Sequence, residues 1–212
     1  MVHFNSKRLQ KIAASSFLFD DFLAIIFVGK IEMFNFFKKS DVPVTKIRDK
    51  VWMSENAKFE FLREELKKEN DTLYIFWFDD TRRKAESFFS GEIASLTSFV
   101  TAREFIMNTE AGKKIIFAEH YPLYQKEADL FQKLHLQEAE IWSSLDEPLF
   151  QYFGGEKIIS LMKKMGMKEN EAAQHKMLTK AIQDAQKKIK EKVMVEQTSH
   201  SQKGWLEKNL AS

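Results

Sequence analysis

Between Lys50 and Ser143 the chain alternates short apolar runs with stretches in which apolar residues return every three or four positions. The runs read as strands. Residues 72–78 (TLYIFWF) are apolar throughout and β-prone, as a strand covered on both faces of a parallel sheet must be. Residues 51–53, 93–99, 114–118 and 139–143 are shorter or weaker runs of the same kind. Between them lie helical signals. Phe59, Leu62 and Leu66 share one face of a helix over residues 56–69. Asp79, Asp80 and Thr81 offer cap oxygens to a helix reaching Phe89, and Thr101 with Glu104 has the spacing of a capping box. A further helix spans residues 124–134. Strand and helix in short alternation specify the α/β class, a parallel sheet covered by helices.

After Ser144 the period becomes helical throughout. Ser144 and Glu147 form a second capping-box pair, and Ile158, Leu161, Met162 and Met165 make a stripe that Gly166 would end as a C-cap. Asn170 is expected to cap a long helix whose apolar line, Leu178, Ile182, Ala185, Ile189 and Val193, packs along the α/β body. A short helix carrying Trp205 and Leu206 follows. Upstream, residues 33–49 hold lysines, Ser40, Asp41 and Pro43 and read as a linker. Met33 opens MFNFFKKSD like a natural start, so residues 1–32 are expected to be an extension outside the fold. Within it, residues 17–29 (FLFDDFLAIIFVG) follow Lys7, Arg8 and Lys11 in the manner of a signal peptide. Asp20 and Asp21 interrupt the run, no A-x-A site follows, and a spanning helix needs roughly 20 apolar residues. Weak contact with a membrane surface is the alternative use of these side chains. The expected plan is thus an extension (1–32), a linker (33–49), an α/β domain (50–143) and a helical C-terminal region (144–212).

Composition narrows the chemistry. With 33 Lys and Arg against 31 Asp and Glu, a net charge of +2 speaks against nucleic acid as the principal partner. Zero Cys excludes disulfides, thiol catalysis and thiolate metal sites, and fits the cytoplasm. The only Gly-Lys pairs, Gly29-Lys30 and Gly112-Lys113, lack the rest of a P-loop. Neither G-x-G-x-x-G nor G-x-S-x-G occurs, and His3, His120, His135, His175 and His200 never fall four apart. The best polar constellation is Asp79 and Asp80 after one strand with Glu119 and His120 after another. At adjacent strand ends these could hold a divalent cation or supply an acid and a base. The simpler assignment gives the aspartates to helix capping and Glu119-His120 to a loop before Pro122. Gly154-Gly155 reads as a tight turn between helices before it reads as an anion cradle. Met162, Met165, Met167 and Met177 have core spacing. Lys176, Lys180, Lys187, Lys188, Lys190 and Lys192 make the long helix basic, either a solvated face or a strip for an acidic partner, anionic lipid or RNA.

Residues 144–189, SLDEPLFQYFGGEKIISLMKKMGMKENEAAQHKMLTKAIQDAQKKI, closely resemble the bacterial preprotein translocase motor SecA, where its second nucleotide-binding domain passes into its helical scaffold. The likeness rests on Ser144-Leu-Asp-Glu-Pro-Leu149, Phe153-Gly154 and Met165-Gly166-Met167. His175, Thr179-Lys180-Ala181-Ile182 and Ala185-Gln186-Lys187-Lys188 extend it. The resemblance implies that residues 50–143 are a RecA-like domain of the helicase second-domain type. It also implies a glycine-rich motif and a Q-x-x-G-R-x-G-R segment whose arginines reach nucleotide phosphates. The corresponding stretch here, LYQKEADLFQKLHLQEAEIW (residues 123–142), has no Arg and no Gly, and nothing matches the Walker-bearing first domain. Arg82 and Arg83 are expected on an exposed helical turn. Phosphoryl transfer depends on positioned charge around the phosphates. The expectation is therefore a degenerate, stand-alone, non-catalytic relative without cofactor. Its place would be as an interaction module in protein export, with the translocation machinery or an exported protein as partner. The alternatives are a helicase-like remnant binding RNA through the basic helix, and a metal-dependent enzyme using Asp79, Asp80, Glu119 and His120.

Overall fold

The computed structural model describes residues 45–68, 71–90, 98–107 and 112–210. The expected extension (1–32), residues 33–44 of the linker and residues 93–97 of the run 93–99 lie outside the described residues. The strands are β1 (Lys46–Trp52), β2 (Thr72–Phe76), β3 (Phe99–Thr101), β4 (Lys114–Phe117) and β5 (Glu138–Ser144). The helices between them are α1 (Glu55–Leu66), α2 (Asp79–Phe88), α3 (Ala102–Met107) and α4 (Tyr124–Lys133). Then come α5 (Pro148–Tyr152), α6 (Gly155–Lys164), α7 (Lys176–Lys192) and α8 (Gln202–Leu210). The strands form one five-stranded sheet in the order β1-β5-β4-β2-β3. Every pairing is parallel. This is the α/β architecture the apolar pattern indicated, and it is compatible with a RecA-like domain followed by helices.

Strand pleating divides the core. Tyr74, Phe76, Ile116 and Trp142 point to one face, against Phe59 and Leu62 of α1 and Ala85 of α2. Leu73, Ile75, Phe117 and Ile141 point to the other, against Phe105 of α3 and Leu130 and Phe131 of α4. A third cluster lies beyond the carboxyl ends of the strands. There Val51, Met53, Phe78 and Leu145 meet Ile158, Met162, Leu178, Ile182, Ile189 and Trp205 from the helical region. The long helix thus packs on the body along its apolar line, with Leu178, Ile182, Ala185, Ile189 and Val193 all buried.

Several local expectations change once tertiary contacts are present. β1 begins at Lys46, inside the stretch read as linker, because the strand pairs with β5 from Lys46–Glu138 to Trp52–Ser144. Its polar residues are satisfied across the ladder: Arg48 Nε lies 2.6 Å from Glu138 Oε1 and Lys50 Nζ 2.7 Å from Glu140 Oε1. The Thr101–Glu104 capping box forms, with Thr101 N donating to Glu104 Oε2 at 2.8 Å and Glu104 N to Thr101 Oγ1 at 3.2 Å. Asp79 and Asp80 lie in the first turn of α2, but its N-cap is Phe78, which has no side-chain cap. At α7 the cap is His175, whose Nδ1 accepts from Met177 N at 3.2 Å, and not Asn170. The residues after Asn170 are drawn instead into an antiparallel bridge between Ala173 and Val51. Glu147 accepts from Ser144 N at 2.9 Å, yet the helix starts only at Pro148. Gly154 takes φ +86 as a turn residue. Gly166 ends α6 at φ +83, with Met167 N donating to Met162 O at 3.1 Å as in a Schellman motif.

Candidate functional site at the carboxyl ends of the strands

In an open parallel sheet a ligand crevice forms where the strand order reverses, outside the strand carboxyl ends. Here that place lies between β2 and β4, since β2 pairs with both β3 and β4. Glu119, just past β4, is buried there. Its Oε1 accepts from Trp77 N and Phe78 N, each at 2.9 Å, and its Oε2 from Thr81 Oγ1 at 2.8 Å. It does for α2 what a side-chain cap would do, pinning the turn from β2 into the helix. Burial and the nearby Glu147 carboxylate push its pKa up to about 8, against the pull of Phe78 N, the Lys58 ammonium and the Thr81 hydroxyl.

His120, the next residue, is also buried and sits between two carboxylates. Its Nε2 is 2.9 Å from Asp49 Oδ1 and its Nδ1 3.0 Å from Glu127 Oε1. Burial alone would disfavour the imidazolium, but Glu127 and Asp49 together hold its pKa well above the ordinary histidine value. Both ring nitrogens therefore donate. Glu127 is itself saturated, taking Tyr121 N at 2.7 Å on Oε1 and Gln186 Nε2 at 2.9 Å on Oε2. Beside this cluster, buried Lys58 donates to Ala118 O at 2.9 Å and to Glu147 Oε1 at 2.5 Å. Glu147 is the dominant attraction that keeps the Lys58 pKa raised despite burial.

The helical region closes the network from above. Gln186 of α7 donates to Tyr121 O at 2.7 Å, and Gln202 of α8 donates to His120 O at 3.0 Å while accepting from Leu149 N at 2.7 Å. Tyr121 OH and Trp205 Nε1 both donate to Glu196. The crevice of the sheet is thus filled by the chain's own C-terminal helices, through hydrogen bonds and the third apolar cluster.

The four residues singled out from the sequence divide into two groups. Glu119 and His120 are neighbours, but each is committed to different buried partners. Asp79 instead meets exposed His200, Oδ2 to Nδ1 at 3.0 Å, and Asp80 N donates to His200 O at 3.0 Å while its carboxylate reaches Lys84 at 3.6 Å. Among the described residues no group of three or more His, Asp or Glu is arranged to hold a metal ion. The lysine strip is on the surface as its spacing required: Lys176, Lys180, Lys190 and Lys192 are exposed, Lys187 and Lys188 half-buried. Arg83 is exposed, while Arg82 is half-buried and pairs with Glu86 and Glu104.

Sequence reasoning passed over Lys58, Glu127, Gln186 and Gln202, and all four share one signal. Each occupies an apolar-stripe position: Lys58 four before Leu62, Glu127 three before Leu130, Gln186 four after Ile182, Gln202 three before Trp205. A polar residue on a buried stripe must be paired, so it marks a buried network in advance.

The fold and site together define a parallel α/β domain whose strand-end crevice is sealed by a helical C-terminal region. No family model matches the chain. A stretch of 51 residues, 24% of the chain, is 47% identical to the protein translocase subunit SecA of Acidithiobacillus ferrooxidans. Over the same length the identity is 45% to SecA of Anaplasma marginale and 41% to SecA 1 of Alkaliphilus metalliredigens. The matched stretch amounts to 6% of each of those proteins. The chain therefore contains a SecA-related region. Among the described residues no helix is long and apolar enough to cross a membrane.

Proposed function

We propose that this protein is a non-catalytic, SecA-related interaction module that works as an accessory in protein export, with a component of the translocation machinery or an exported protein as its partner. The observation that carries this is the sealed crevice: the place where a parallel α/β sheet would take a ligand is occupied by Gln186, Gln202 and Trp205 of the same chain. The SecA-related stretch supplies the link to export. The stretch of residues 123–142, where the motor family's arginines would fall, forms α4 and the start of β5 and contains no arginine.

Affinity capture with the full chain tests the partner. SecA or translocon subunits should be retained in near-equal amount to the bait. Calorimetry with ATP and magnesium tests the absence of catalysis, and binding should be no tighter than millimolar, about 4 kcal/mol. Micromolar binding, or turnover lost on changing Arg82 or Arg83, overturns it.

A further inference from the structure

We infer that the free edge of β1 is a docking site for an extended acidic peptide segment, added to the sheet as a sixth strand beside α7. This does not rest on the export proposal. Among the described residues β1 is the outer strand of the sheet. Lys46 N bonds to Gln137 O and Leu145 N to Trp52 O, so the even-numbered peptide groups face β5 and the odd-numbered ones face outward. Of the outward residues Val51 is paired, its N and O both bonded to Ala173. Two residues later His175 caps α7 and the chain peels away from the edge. The outward N–H and C=O of Asp49 and Ile47 are left without a backbone partner among the described residues. They border a groove of about 420 Å³ closed on its far side by Gln174, His175, Lys176 and Thr179. A short antiparallel pairing is thus begun by the chain and left open at one end. Peptide groups two residues apart are met by another strand, not by a nucleic acid, which has no matching main-chain ladder.

Charge selects the strand. Lys46, Arg48 and Lys50 project from one face of β1, and Lys176 rims the groove; the carboxylates within reach of them are Glu138 and Glu140. Asp49 faces inward and is spent on His120. Lysines on an edge strand oppose pairing with an identical copy, because like charges would stand opposite one another. They favour a strand with Glu or Asp on the face beside Lys46, Arg48 and Lys50. On the other face, beside half-buried Ile47, an apolar side chain fits. The partner is therefore an acidic-apolar alternating segment.

The test is titration of the full chain with a capped peptide of about eight residues alternating Glu and Val, followed by amide hydrogen exchange. Saturable binding should slow exchange at Ile47 and Asp49 about tenfold, and Arg48→Gln with Lys176→Gln should weaken it about tenfold. Blocking every second peptide amide with N-methyl groups should abolish it. Equal binding of the N-methylated peptide, or of a Lys-Val peptide, overturns the proposal. So does slowing of the same two amides by an RNA oligomer. Amides already protected in the dilute free chain would mean the chain covers its own edge, and protection growing with protein concentration would mean a second copy does; either also overturns it.

Discussion

At the scale of single residues, the buried ionisable groups set how stability responds to pH. An unfolded chain releases the Glu119 proton near 4.5, whereas the folded protein keeps it to about 8. Between those values the native state binds more protons than the unfolded state, so stability falls as pH rises, by at most about 1.4 kcal/mol per pH unit. His120 acts in the same direction: its raised pKa stabilises the fold fully below the ordinary 6.5, and that contribution is lost as pH climbs through the folded value. Urea midpoints should therefore drop as pH rises from about 4.5 to about 8, and Glu119→Gln should flatten that slope while changing little at neutral pH. An unchanged slope in that variant would mean the carboxyl is ionised throughout. The Lys58–Glu147 pair makes a separate prediction. Lys58→Met leaves the buried Glu147 carboxylate with Ser144 but without its counter-charge, and should cost about 3–5 kcal/mol. Adding Glu147→Gln to it removes the stranded charge and should recover most of that loss, as a double-mutant cycle in urea would show.

At the scale of elements, the sequence disclosed whatever depends on near neighbours. β2 was visible as an apolar run because a strand covered on both faces has no polar side to confuse it, and β4 and β5 were visible through their apolar residues Ile115, Ile116, Phe117, Ala139, Ile141 and Trp142. The Thr101 capping box and the Gly166 terminus were visible because their partners lie within five residues. What could not be seen was set across the fold. The first part of β1, residues 46–49, looked like a linker because Lys46 and Arg48 find their partners on β5, some ninety positions on. The start of α7 moved from Asn170 to His175 because Val51 claims Ala173. The supposed acid cluster separated because Glu119 turns to Trp77, Phe78 and Thr81 while Asp79 turns to His200. Gly155 shows the same limit and carries a prediction. Local propensity favours Ala at a helix start, yet a Cβ there would stand 2.2 Å from Leu145 O, a backbone atom at the end of β5. Gly155→Ala should thus cost about 1–3 kcal/mol, against the gain in helix propensity. A thermal midpoint at or above that of the parent would show that α6 can shift off the sheet freely.

At the scale of the whole molecule, the question is whether the helical region is a lid or part of the core. Its contacts answer from three sides. His200 O accepts from Asp80 N after β2, Gln202 reaches His120 O after β4, and Leu149 N after β5 donates to Gln202. Trp205, fully buried, stands 6.0 Å from the Tyr121 ring and shares Glu196 with the Tyr121 hydroxyl. Lifting α8 would expose that tryptophan and leave the buried His120 O and Leu149 N without their Gln202 partner, which is costly at both. The sheet and the helical region should therefore unfold together. Trp205→Ala is the sharpest probe, because it empties the middle of the third cluster and should remove about 3–5 kcal/mol. The loss should move the entire transition, with far-UV ellipticity and the fluorescence of Trp52 and Trp142, which sit in a different cluster, changing at one denaturant concentration. Two separated transitions, the helical region melting first and the sheet persisting, would make α7 and α8 a detachable cover. The crevice between β2 and β4 would then open on the native side of unfolding, and ligand binding at Glu119 and His120 would again be a use for it.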